Sequence, residues 1–135
     1  MITSPQSIRM SRNGVGHDAT VAWESHDGLT WTVSITCAEF GRVEARADDA
    51  FEALCHVRDE LEPLGWRIGV AGAQVDVWPS GMARDQGGGK VAYRVSADWN
   101  HTRVDTFEPV DPDLVATVAE QRAEVDRIFD ELRLS

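Results

Sequence analysis

Residues 29–37 read LTWTVSITC. Apolar Leu29, Trp31, Val33, Ile35 and Cys37 alternate with Thr30, Thr32, Ser34 and Thr36. A period of two marks a β-strand with one face on a core. The β-branched and hydroxyl side chains of the other face suit a pleated surface. Just upstream, Val21 and Trp23 repeat the spacing within Ala19 to Ser25. Asp27-Gly28 stands between the two runs and tolerates the positive φ of a hairpin turn. The pattern predicts a β-hairpin over 19–38, and Gly41 leaves room for a third strand over Arg42 to Arg46.

On the N-terminal side, residues 1–18 are polar, with Pro5, Gly14 and Gly16. Ile8 and Met10 start a short edge strand there, or the segment is a loose arm. On the C-terminal side, Asp48-Asp49 opens a helix, with Asp48 as its cap. Phe51, Leu54, Cys55, Arg58 and Leu61 fall on one side of it, and Arg58 is the only polar interruption. Pro63 and Gly65 stop it. Trp66, Ile68 and Val70 then alternate with polar or small neighbours, as do Val75 and Val77 before Pro79. After a loop at 79–89, strand patterns return over Lys90 to Ala97 and Arg103 to Glu108. Asp111 caps a last helix with Pro112 in its first position, and Leu114, Val118, Val125, Ile128, Phe129 and Leu132 form its buried stripe.

The order is β-β-(β)-α-β-β-β-β-α. Neighbouring strands are joined too tightly for parallel crossovers. The expectation is an α+β fold: an antiparallel sheet of about 5–7 strands with two helices packed on one face. With 135 residues and no linker, residues 1–135 are expected to form one domain.

Charge narrows the partners. Thirteen basic residues face 23 acidic ones, a net charge of −10. No basic run exists to neutralise phosphates, so neither nucleic acid nor an anionic membrane is expected as partner. An acidic surface suits a basic protein and also serves plain solubility. Without a signal-peptide pattern or an apolar span of about 20 residues, the reading is cytoplasmic, with Cys37 and Cys55 as free thiols in the core. One lysine against twelve arginines suggests a GC-rich bacterial gene.

Catalytic signatures are weak. The glycines at 87–89 fail as a phosphate-binding loop. Arg84 stands where that motif needs Gly, Val91 follows the lysine in place of Ser or Thr, and a strand follows in place of a helix. The histidines and cysteines lack paired metal-ligand spacing, and His56 points away from Cys55 toward solvent. No metal and no cofactor is expected, and the balance leans away from an enzyme.

The stretch from Trp78 to Lys90 draws most attention. An eleven-residue connection is long for a small domain, and loops carry function disproportionately. Met82, Arg84, Asp85, Gln86 and Lys90 are its candidate binding residues. Equally, Arg84 and Asp85 pair locally while Met82 plugs the core edge. Trp23, Trp31 and Trp66 fall on predicted core faces. Trp78 has the opposite parity from Val77, and Trp99 adjoins Asn100 and His101 in a polar turn. Trp78, Trp99 and His101 therefore complete the candidate contact set, because interface hot spots favour Trp, Tyr and Arg. The leading expectation is a small acidic protein-binding domain, in its most concrete form a bacterial immunity or inhibitor protein that occludes a toxin or enzyme. The alternatives are a small-ligand binder or enzyme using the 78–90 loop, and a chaperone or adaptor for a secreted protein.

Overall fold

The structure is a computed structural model that describes residues 2–80, 84, 87–95 and 102–134. Four consecutive strands, β1 (Gln6–Arg12), β2 (Val15–His26), β3 (Thr30–Cys37) and β4 (Gly41–Ala47), form an antiparallel meander. The first two turns use Asn13-Gly14 and Asp27-Gly28, all four residues with positive φ. The predicted hairpin stands, with Val21 paired to Ile35 and Trp23 to Val33. Helix α1 (Ala50–Leu61) follows, then β5 (Trp66–Ile68), which pairs with β1. The large sheet therefore runs β4-β3-β2-β1-β5.

The N-terminal segment is neither an arm nor an edge. β1 lies inside the sheet between β2 and β5, with Ile8 and Met10 buried. Its polar residues Ser7 and Arg9 alternate outward, so a mixed composition concealed a strand with a single core face.

Three further strands, β6 (Val77–Trp78), β7 (Val91–Arg94) and β8 (Thr102–Asp105), make a small antiparallel sheet. Backbone bonds join it to the large one. Ala71 and Gly72 donate to the carbonyls of Glu108 and Thr106, and Val110 donates to that of Gly69. Gly69 also donates to Arg9 O at 3.0 Å. A Cβ at Gly69 would lie 2.4 Å from Arg9 O and 2.5 Å from Val110 O, so only glycine fits between these two backbones.

The α+β expectation holds, with eight strands among the described residues and the order close to that read from sequence. The strands divide between two sheets, and α1 packs against both. Ala53, Leu54, Val57 and Leu61 pack with the large-sheet core, while Phe51 and Cys55 pack with Val77, Ala92 and Val118. A helix buried on two sides explains why Arg58 sits at 0% exposure among apolar neighbours. Its guanidinium donates to Glu62, to Gln121 and to Ala116 O. Glu62 also accepts the Val118 N–H at 2.9 Å. The Gln121 side-chain amide caps the carbonyls of Gly72, Gln74 and Val77.

Two helix starts move. The α1 cap is Asp49, which accepts from Glu52 N at 2.8 Å, in place of Asp48. The last helix, α2 (Val118–Leu134), does not begin at Asp111-Pro112. That pair starts only a one-turn 3-10 segment, Pro112–Leu114, and leaves Leu114 at 63% exposure. Thr117 and Glu120 open α2 by exchanging side-chain and backbone hydrogen bonds. Phe129, expected in the buried stripe, is 42% exposed. Val125 and Ile128 are buried as expected, and the Leu132 side chain lies outside the described residues.

Candidate functional site

The glycine-rich loop is a seat for α1. Gly88 and Gly89 have φ of 65° and 75°, a region that strains any residue with a Cβ. A Cβ on Gly88 would lie 2.4 Å from the Trp31 ring. On Gly89 it would lie 2.6 Å from Asp49 Oδ1 and 2.7 Å from Phe51 N. The close approach lets Gly88 O accept the first amide of α1, from Ala50, at 2.7 Å. On the other side, Thr106 is buried and donates through Oγ1 to Gly89 O and through its amide to Lys90 O. With Gly88 and Asp49 occupying amides of the α1 start, the loop does not form the open cradle of a phosphate-binding turn.

The described members of the candidate set are placed differently from one another. Arg84 donates to Asp49 Oδ2 at 3.0 Å and to Glu52 Oε2 at 3.3 Å. Its guanidinium also lies 5.5 Å from the Phe51 ring centre and 5.8 Å from that of Trp78. Trp78 is half-buried, edge-on to Phe51 at 5.2 Å. The Trp78 and Arg84 side chains thus both contact α1, and Arg84's ion-pair partners, Asp49 and Glu52, stand at the start of that helix. Lys90 is exposed, 5.6 Å from the Trp31 ring centre. Met82, Asp85, Gln86, Trp99 and His101 lie outside the described residues.

A hollow of about 550 Å³ opens beside this loop. Leu29, Trp31, Asp48, Gly88, Lys90 and Arg103 are among the residues that line it. A smaller one of about 210 Å³ adjoins it, with Trp23, Phe107 and Asp105 in its lining. Lys90, Val91 and Arg103 border both. Neither Lys90 nor Arg103 has a carboxylate within ion-pairing distance among the described residues, and Leu29 is 76% exposed on the same rim. Leu29, Trp31 and Arg103 escaped the sequence reading as site residues. The first two look like core positions of a regular strand, and Arg103 lies in a short strand with no local motif. The one legible signal is that Lys90 is the only lysine in the chain.

Two other chemistry-bearing groups among the described residues, Cys55 and Arg9, are held in place. Cys55 is buried, and that burial pushes its thiol from 9.0 up to about 12, outweighing the nearby Arg58 charge. A third hollow, near 580 Å³, contains Arg9 already paired with Asp18 at 2.5 Å. Among the described residues no trio of His, Cys, Asp or Glu is placed to hold a metal. No helix among them is long and apolar enough to cross a membrane. No protein-family model and no curated protein matches the chain in sequence.

Proposed function

We propose that this protein acts by binding another protein, as an inhibitor or bacterial immunity protein that covers its target. The contact face is the rim formed by the β2–β3 turn and the 87–91 loop. One observation carries the reading: exposed Leu29 and half-buried Trp31 share a rim with Lys90 and Arg103, cations that have no ion-pair partner among the described residues. Apolar, aromatic and arginine side chains around a recess are what energetic anchors of protein interfaces are made of. The loop's backbone bonds fix this rim before any partner arrives, which lowers the ordering cost of association. Exposed carboxylates elsewhere, such as Asp59, Glu60 and Asp126, supply long-range attraction for a basic target.

The test is purification of the tagged protein from its own host at low and high salt, with and without Leu29→Glu. A partner present in equal amount, retained by the parent and lost from a variant with unchanged melting temperature, supports the rim. A partner retained equally by Leu29→Glu places the contact elsewhere, and the absence of any partner removes the inhibitor reading.

The recess itself favours a second reading, a small-ligand site on the same rim, because a hollow near 550 Å³ falls in the usual size range of ligand pockets.

A further inference from the structure

We infer that the gap between the two sheets is a binding site for a small organic anion, one with a flat apolar body and a carboxylate or phosphate at its end. The inference develops the small-ligand reading and does not require a protein partner.

It rests on how the core ends. Trp23 and Trp31 share the core face of the β2–β3 hairpin as diagonal neighbours, since Trp23 pairs with Val33 and Ser25 with Trp31. Deeper along that face Val21, Val33 and Ile35 are fully buried, whereas both tryptophans are only half-covered. The small sheet closes over this end. Ala92 is buried toward α1 and Val104 packs on the same side, so alternation turns Val91, Arg103 and Asp105 toward the tryptophans. Trp23 stacks on Phe107 with ring centres 4.2 Å apart and planes within 7°. The floor is therefore aromatic, and a ring or acyl group laid on it gains dispersion and loses water.

The rim carries the complementary charge. Arg84 is already neutralised by Asp49 and Glu52. Among the described residues, neither Lys90 nor Arg103 has an ion-pair partner. Asp48 borders the larger hollow and Asp105 the smaller, so each hollow taken alone sets one carboxylate against the two shared cations, and across both the charges balance. In a chain of net charge −10, a recess bordered by as many free cations as carboxylates among the described residues runs against the average field. An anionic head can take the Arg103 fork and the Lys90 ammonium together, and the low dielectric of the aromatic floor strengthens both contacts.

The single lysine gives the test a local reporter. Reductive methylation with ¹³C-formaldehyde keeps the Lys90 charge and adds one side-chain NMR signal, separate from that of the N-terminal amine. The probes are phenylacetate and phenyl phosphate, with phenylacetamide as the neutral isostere and acetate as the anion without a ring. The inference expects saturable shifts of the Lys90 signal with both aromatic anions, at least tenfold weaker response to phenylacetamide and acetate, and a tenfold or greater loss of phenylacetate affinity in Arg103→Gln. Parallel titration of Trp31→Leu should lose the preference for the ring while keeping the weak acetate response. Equal, non-saturating shifts with acetate and phenylacetate would mean bulk ionic screening and would overturn the inference. So would binding unaffected by Arg103→Gln. The partner-capture experiment can succeed or fail independently, so the two readings fall separately.

Discussion

Arg58 shows what a single side chain commits the fold to. It is the charged residue of an otherwise apolar helix stripe, and its bonds reach Glu62 at four residues' distance and Gln121 at sixty-three. Arg58→Met fills the space but leaves Glu62 without its cation and takes a donor from Gln121 and Ala116 O. Removing one partner of a buried ionic network costs about 3–5 kcal/mol, which chemical denaturation would measure directly. The oddity of Arg58 was legible in the sequence. Its partners were not, because no periodicity links a helix to a glutamine two sheets later. Gly88 is the converse case: its triplet was visible, yet its role depends on the Trp31 ring that it touches. Gly88→Ala should cost about 2 kcal/mol or more through positive φ and displacement of the indole, seen as a lowered melting temperature.

Among the elements, regular strands were readable wherever one face was apolar. The β2–β3 hairpin came from alternation and a turn dipeptide. β1 carried an equally good turn in Asn13-Gly14 but lay in a segment whose polar composition masked it. The start of α2 was misplaced because Asp111-Pro112 satisfies the usual start rules, while Thr117-x-x-Glu120 satisfies them better. Ala116 N–H is committed to Ala73 O at 2.8 Å, which holds the chain out of helix just before that box. Thr117→Ala should destabilise by about 1 kcal/mol. The same box gives α2 a pH response. Bonds from the Thr117 amide and then its hydroxyl hold Glu120 below its ordinary 4.5. The stabilisation is therefore complete above pH 4.5 and is lost as the pH falls through the lower folded value. Thermal melts from pH 6 to 3 should show a gentler acid loss in Glu120→Gln, which has no carboxylate to protonate.

For the molecule as a whole, sequence delivered the class and the order of elements but not the division into two sheets that both pack on α1. That division depends on the crossing at Gly69, which reads locally as one more small residue in a strand. It also created the recess. Trp31 could not be recognised as part of a site from its own strand, because what leaves it half-open is the placement of a sheet some sixty residues away. The sandwich sets the chemistry of Cys55 too. With the folded thiol near 12 and the free one at 9.0, its contribution is fully present below pH 9 and fades as the pH rises toward 12. At pH 8.5, iodoacetamide should label Cys55 only as fast as the whole structure opens, and the labelling rate should rise in step with destabilising substitutions elsewhere.

The double-sided burial of α1 also has a consequence in time. An element that both sheets grip cannot fray while either remains in place. Its central amides, from Leu54 to Arg58, should exchange with deuterium only through global unfolding, and their protection should equal the full stability of the protein. The β4 edge strand, paired on one side only, should exchange through smaller openings at lower free energy. Amide exchange across a denaturant series would show this as α1 protection that falls with the full unfolding slope and β4 protection that scarcely responds.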